Sequence, residues 1–343
     1  FRLGHFPPAR KGSKGGATSL DARVPAVTEA FPAADHLLTV RDFLRHAVSR
    51  FRSAGLAFGH GASDAFDEAA FMVLEGLKLP IDMLEPFLDA RLLPEERARL
   101  AELIEARVTT RKPAAYLLKR AYVQGIPLYV DERVIVPRSF ICELLVSDII
   151  GGDDFTIIED TGSVETVLDL CTGSGAIAIL AAEVFENADI DAVDLSPDAL
   201  EVAKINVAEH GLEGRLSLIE GDLFAPLEGR SYDLILTNPP YVDEVAMEEL
   251  PEEYRHEPAM ALGSGLDGLD IVRRILAEAG AHLNPGGGLL CEIGAGREII
   301  EAEYPDLPFL WLDTEESEGE VFWLAAEALG ATASSSIGAV EPE

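Results

Sequence analysis

Apolar positions between Leu38 and Val108 recur at helical spacing. Val40, Phe43, Leu44, Ala47, Val48 and Phe51 fall on one face of a 3.6-residue period. The same pattern continues through 67–77, 81–88 and 94–108, with Pro94 where a helix loses nothing by starting on a proline. These stripes predict the core of a small all-helical domain over residues 35–112.

The texture then changes. Residues 122–130 are short, β-rich and broken by Gly125 and Pro127, which predicts a β-hairpin linker within 113–136. From about residue 137 to 330, apolar runs of strand length alternate with helical patterns. Strands are expected at 166–170, 190–194, 216–220, 233–237, 288–293, 309–313 and 321–325, with helices between the first five. Alternating strand and helix predicts an α/β, doubly wound, mostly parallel seven-stranded sheet. The last two strands leave no room for a helix between them, so they are expected to form an antiparallel edge hairpin. The acidic stretch 151–163 reads as a mobile loop, residues 1–34 as a disordered arm and 331–343 as a loose tail. No internal repeat is visible.

Composition narrows the function classes. Lys+Arg number 27 against 61 Asp+Glu, a net charge of −34. That field repels bare nucleic acid and attracts a basic protein partner, though part of it serves solubility. Cys142, Cys171 and Cys291 show neither metal-ligand spacing nor a disulfide framework, so no metal is expected and a cytoplasmic location is. No apolar run approaches the ~20 residues that span a bilayer, so no membrane partner is expected.

Ligands of open α/β sheets bind at the carboxyl ends of strands, and four such ends carry candidate residues. Asp169-Leu170-Cys171-Thr172-Gly173-Ser174-Gly175 places glycines where a backbone turns tightly before a helix N-terminus. It lacks the third glycine of a dinucleotide fingerprint. Asp194 follows Gly173 by the separation of an acid that accepts from ribose hydroxyls; Ser196 fits the following helix cap better than Asp194 does. Asp222 suits either an exocyclic amine or a simple turn. Together these ends describe a nucleoside ligand without a pyrophosphate, of which S-adenosylmethionine (SAM) is one.

The fourth end is Thr237-Asn238-Pro239-Pro240-Tyr241. Two prolines stop the strand and stiffen the turn. A delocalised –NH2 group, as in an amide or adenine, is a weak nucleophile with two protons. Asn238 offers a side-chain oxygen for one proton, Pro239 a carbonyl for the other, and Tyr241 a ring to stack on the planar group. Positioning of this kind supplies much of the catalysis when the cofactor carries the driving force.

The two motifs together resemble the HemK-like N(5)-glutamine methyltransferases, which methylate a glutamine side-chain amide in a protein. The likeness runs from about Leu38 to Ala325. The branch acting on ribosomal protein L three is most similar, through Phe58-Gly59-His60-Gly61, residues 129–139 and Leu250-Pro251-Glu252-Glu253-Tyr254-Arg255-His256-Glu257-Pro258. The resemblance implies a Rossmann-like SAM-dependent methyltransferase domain that yields S-adenosylhomocysteine. It implies that Asp169, Thr172, Gly173, Gly175, Asp194, Leu195, Asp222, Leu223 and Asn238 hold the cofactor. Asn238, Pro239, Pro240, Tyr241, Arg138 and Glu257 would hold the substrate, with Asn238, Pro239 and Tyr241 catalytic. The helical domain would help to recognise the substrate, expected to be free ribosomal protein L three, met by a monomeric enzyme. A release factor with a Gly-Gly-Gln loop is the alternative within the family, and an adenine or guanine amino group in nucleic acid the alternative outside it.

Overall fold

The computed structural model describes residues 36–152, 155–315 and 317–335. Two compact units meet in sequence between Leu118 and Lys119. The disordered arm expected over 1–34 lies outside the described residues.

The first unit is helical: α1 (Val40–Ala54), α2 (Ala65–Leu77), α3 (Pro94–Thr110) and α4 (Ala114–Leu118). Local chemistry sets these bounds. Thr39 and Asp42 form a reciprocal capping box at the start of α1, and Gly55 ends it in the left-handed region at φ 60°. Asp64 caps α2 by accepting from two backbone N–H groups. Val40, Phe43, Leu44, Ala47 and Phe51 are buried as their spacing predicts. The helix expected over 81–88 is only the single 3-10 turn Glu85–Phe87. Pro86 withholds the N–H that a longer helix there would use. Arg107 and Glu68 form a buried ion pair, and Arg107 also donates to the carbonyls of Ala57 and Arg111. These added bonds offset the desolvation of the pair.

The second unit opens on the hairpin β1 (Ala121–Val123) and β2 (Ile126–Leu128), turned by Gln124 and Gly125, both at positive φ. After α5 (Ile141–Leu145) come β3 (Thr166–Leu170), α6 (Ala176–Val184), β4 (Asp189–Asp194), α7 (Pro197–Glu209), β5 (Leu216–Glu220) and β6 (Tyr232–Thr237). They are followed by α8 (Glu244–Glu249), α9 (Asp270–Glu278), β7 (Leu283–Glu292), α10 (Arg297–Glu303), β8 (Leu310–Leu312), β9 (Val321–Ala325) and α11 (Ala326–Ser335). The sheet order is β5-β4-β3-β6-β7-β9-β8. The first five strands in that order run parallel, and β9 is antiparallel to both β7 and β8. This is the expected doubly wound sheet with its antiparallel edge hairpin.

Alternation along β3 sends Val167 into the core on one face and Leu168 and Leu170 into the core on the other. Burying each such side chain contributes about 1.5–3 kcal/mol. Both faces are covered, so the sheet positions its strand ends rigidly. The chain steps outward from β3 to β4 to β5, then returns to place β6 on the other side of β3. That reversal opens a crevice beyond the carboxyl ends of β3 and β6.

Three expectations need correction. No helix joins β5 to β6, where residues 221–231 form turns; Pro226 lacks an N–H and Gly229 is left-handed at φ 75°. Residues 331–335 are not loose but continue α11, while 336–343 lie outside the described residues. The described part of 151–163 is tied down rather than free. Thr156 Oγ lies within donating reach of both the Ile149 and Ile158 carbonyls, at 2.8 and 2.7 Å, and Gly151 N donates to Ile158 O at 2.7 Å.

Candidate active site

A cleft of about 860 Å³, open mouth included, lies over the carboxyl ends of β3, β4, β5 and β6. Cys171 and Gly173 line it from β3, Asp194, Leu195 and Ser196 from β4, Gly221, Asp222 and Leu223 from β5, and Asn238 and Pro240 from β6. The opposite walls are Arg133, Val134 and Ile135, and Pro258, Met260, Ala261 and Gly263.

The loop after β3 needs unusual backbone. Cys171, Gly173 and Gly175 have φ of 60°, 56° and 82°. Glycine adopts such angles freely, whereas cysteine is strained by them. Asp169 does not face the cleft. It is fully buried, and its Oδ2 accepts from Thr172 Oγ at 2.6 Å and from Ala178 N at 3.1 Å. It thus holds the loop to the start of α6. Burial pushes its carboxyl up to about 7. Thr172 is also buried, and its N–H donates to Val193 O, tying the loop to β4. Gly175 is the N-cap of α6, packed against Ala203 of α7.

Asp194 joins the two strand ends. Its Oδ2 accepts from Gly173 N at 2.8 Å and its Oδ1 from Ser196 N at 2.8 Å. Ser196, not Asp194, caps α7 through Ala199 N. Each carboxylate oxygen keeps a further lone pair for a ligand. Burial raises the pKa of Asp194, against the pull of its backbone donors. Leu195 is 57% exposed beside it, an apolar platform at the cleft mouth. Asp222 accepts from Arg274 at 2.9 Å at the cleft edge, and Leu223 beside it is left-handed at φ 50°.

At the end of β6, Thr237 Oγ donates to Leu170 O at 3.0 Å and clamps the strand to β3. Asn238 and Pro240 face the cleft, whereas Pro239 is buried. Val242 N donates to Leu262 O at 2.8 Å, and Ser264 N donates to Val242 O at 3.0 Å. These bonds bring residues 258–263 alongside the turn. Tyr241 turns away from the cleft lining. Its hydroxyl donates to Glu292 Oε1 at 3.0 Å, and its ring lies over Gly294.

Arg138 and Glu257, expected to touch substrate, are instead buried and paired with each other. The two guanidinium N–H groups reach the two carboxylate oxygens at 2.6 and 2.7 Å. Glu257 also accepts from Val136 N, and the guanidinium lies 5.6 Å over the Tyr254 ring. The pair fixes the segment that carries Arg133, Val134 and Ile135. Arg133 itself is held by Asp131, whose carboxyl it keeps down at about 2.

Two residues of the site were not read from the sequence. Asn206 of α7 is fully buried, accepts from Tyr129 N at 2.6 Å and donates to Tyr129 O and Ser174 O. An asparagine inside a helix gives no local signal of that role. Glu292 ends β7 directly after the buried apolar run Leu289-Leu290-Cys291 and is itself fully buried. A lone acid at the end of such a strand was a signal that could have been used. Among the described residues no cluster of His, Cys, Asp or Glu suits a metal, and no helix is long and apolar enough to cross a membrane.

A cleft with two carboxylates on adjacent strand ends, an exposed apolar platform and an amide beside a proline-stiffened turn suits a hydroxyl- and amine-bearing nucleoside ligand. The methyltransferase small domain family matches residues 156–255. A ribosomal protein uL3 glutamine methyltransferase of Bradyrhizobium diazoefficiens is 58% identical over 85% of this chain and 92% of its own. Proteins of the same name from Neisseria meningitidis serogroup B and Bordetella pertussis are 55% and 53% identical, over 87% and 85% of this chain and 96% and 97% of theirs.

Proposed function

This chain belongs to the family of ribosomal protein uL3 glutamine methyltransferases, and from that premise we propose that it methylates a glutamine side-chain amide of free uL3, using SAM. The observation that carries the reading is the placement of Asn238 and Pro240 on the same cleft as Asp194 and Asp222. One end of the cleft offers acceptors for a nucleoside, and the other a rigid turn with an amide oxygen.

When bound, SAM supplies an electrophilic methyl group. The chain's own work is to bind and aim. Asp194 accepts from the ribose hydroxyls while its other lone pairs keep Gly173 and Ser196 in place. Asp222 accepts from the adenine amine. Leu195 and Leu223 flank the flat ring. Asp169, Thr172 and Gly175 act on the cofactor through the loop that they brace. Asn238 accepts one amide proton of the glutamine, and the Pro239 carbonyl accepts the other. Both bonds orient the nitrogen lone pair toward the methyl carbon. Pro240 fixes the turn, and Tyr241 supports it from behind. Arg138 and Glu257 shape the wall that excludes water rather than gripping the substrate.

A basic ribosomal protein fits the acidic surface, and the proposed location of the reaction is the cytoplasm, where ribosomes assemble. Purified enzyme, SAM and three substrates test the proposal: free uL3, intact large ribosomal subunits, and a release factor. Mass spectrometry is expected to find the gain of one methyl group on free uL3, with little on the other two. Methylation of the release factor alone would move the chain to the other branch. Label from tritiated SAM in nucleic acid would remove glutamine as the acceptor.

A further inference from the structure

The carboxyl group of Glu292 is gripped from two directions. Its Oε1 accepts from the Tyr241 hydroxyl at 3.0 Å. Its Oε2 accepts from Ser139 Oγ at 2.7 Å and from Phe140 N at 3.0 Å. One fully buried side chain therefore joins the turn after β6 to the segment that carries the Arg133–Ile135 wall. Glu292 itself does not line the cleft.

Tyr241 is confined on its other sides. A Cβ at Gly294 would come within 2.7 Å of its ring, and Gly294 is left-handed at φ 55°. A Cβ at Gly268 would lie 2.2 Å from the Tyr241 carbonyl oxygen. Both positions need glycine for this close approach. Ring and backbone are thus fixed by contact, and the hydroxyl bond to Glu292 sets the remaining orientation. Three donors converge on a carboxyl that has lost its water, an arrangement worth keeping only if the geometry it fixes matters.

We infer that Glu292 is a positioning residue for methyl transfer, holding the Asn238-Pro239-Pro240-Tyr241 turn in register through the Tyr241 hydroxyl. The reaction named here rests on the function proposed above; the link between Glu292 and Tyr241 does not.

Burial pushes Glu292 up to about 7, with the Glu320 carboxylate adding to the effect. The other charged or titratable groups around the pair include Arg138, which is occupied by Glu257, and the buried Cys142 and Cys291. Near neutrality the Tyr241 hydroxyl therefore faces a carboxyl that exchanges a proton, accepting from it when ionised and donating to it when protonated. Glutamine in its place can accept from Ser139 Oγ and Phe140 N through its amide oxygen and donate from its amide nitrogen to the Tyr241 hydroxyl oxygen, but has no proton to exchange.

The test has two arms. In the first, the full chain labelled with carbon-13 at tyrosine Cζ is titrated without SAM or substrate, and the Tyr241 signal is identified by its loss in Tyr241→Phe. The signal is expected to shift with pH around neutrality in the wild type and to stay fixed in Glu292→Gln. In the second arm, uL3 methylation is followed at steady state. Glu292→Ala and Tyr241→Phe are each expected to lower kcat about tenfold or more with KM for SAM changed less than about twofold, and the double variant to lose no more than either. Glu292→Gln is expected to keep kcat within about threefold. If Glu292→Ala does not fold, Glu292→Gln and Tyr241→Phe, which preserve volume, carry the test. A Tyr241 signal that titrates alike in Glu292→Gln, losses that multiply in the double variant, or full kcat in Tyr241→Phe would each overturn the inference. A wild-type enzyme that leaves uL3 unmodified would instead overturn the reaction, and the first arm would then decide the link alone.

Discussion

Asp194 carries two loads, and they separate by substitution. Its carboxylate pins Gly173 and Ser196, and in the proposed function its outer lone pairs accept from a ribose. Asp194→Ala is expected to weaken SAM binding by about 1.5–3 kcal/mol, the range for hydrogen bonds to a charged group. Asn238→Ala is expected to leave SAM affinity almost unchanged and to abolish turnover, because in the proposed function its amide holds the methyl acceptor and not the cofactor. Titration calorimetry on both variants checks this, and equal losses of affinity would mean that the two roles are wrongly divided. Cys171 raises a different residue-level question. It is left-handed at φ 60° on the cleft wall, where cysteine is strained. Cys171→Val adds β-branching to that strain and is expected to cost about 1–3 kcal/mol in urea unfolding. Cys171→Gly removes the strain and is expected to raise the midpoint. A lowered midpoint for the glycine variant would show that packing of the thiol outweighs the backbone.

At the scale of elements, the cleft depends on side chains that never face it. Asn206 on α7 spends all three of its bonds on the backbone of Tyr129 and Ser174. It therefore couples the chain leaving β2 to the glycine-rich loop after β3. Asn206→Ala leaves the buried Ser174 carbonyl and the part-buried Tyr129 backbone groups without this partner, at about 1 kcal/mol for each. We expect a stability loss of roughly 2–4 kcal/mol together with weaker SAM binding; stability loss with unchanged affinity would make Asn206 a packing residue only. This kind of coupling also explains what the sequence could and could not show. The strands and their ends were legible because hydrophobic period, glycine and proline act locally. The edge hairpin was legible because the segment between β8 and β9 is too short for a helix. The same local logic failed between β5 and β6, where a connection long enough for a helix is broken by Pro226 and Gly229. It failed again for Arg138 and Glu257, whose motifs are conspicuous but whose charges cancel against each other across a long sequence separation. Glu292, Ser139 and Tyr241 come from three separate stretches, so their meeting is a property of the sheet order and not of any one stretch.

For the whole molecule, charge acts on stability and on encounter in different ways. Asp169 and Glu292 are both pushed up to about 7 by burial, from ordinary values of 3.8 and 4.5. A folded state with raised carboxyl pKa binds more protons than the unfolded chain. Their contribution is thus fully present below the unfolded values and is lost as pH rises through the folded ones. Glu292→Gln has no proton to lose, so its melting temperature relative to wild type is expected to rise from about pH 5 to about pH 8. A difference independent of pH would show that Glu292 keeps an ordinary pKa. Asp131 and Asp267, both held at about 2 by arginine partners, act in the opposite sense: they stabilise above their unfolded value of 3.8 and lose that contribution in acid. Encounter follows the net charge of −34 instead. A surface with such an excess of carboxylates attracts a basic ribosomal protein over about a Debye length, roughly 10 Å at 0.1 M salt, and less as salt rises. Stopped-flow association of the enzyme with free uL3 is therefore expected to slow steeply between low and moderate ionic strength, with dissociation changing less. The same salt series should leave SAM binding almost unaffected, since Asp194 is largely enclosed and its partners are fixed backbone groups. An association rate flat in salt would leave the acidity a solubility feature and would place recognition of uL3 in short-range contacts alone.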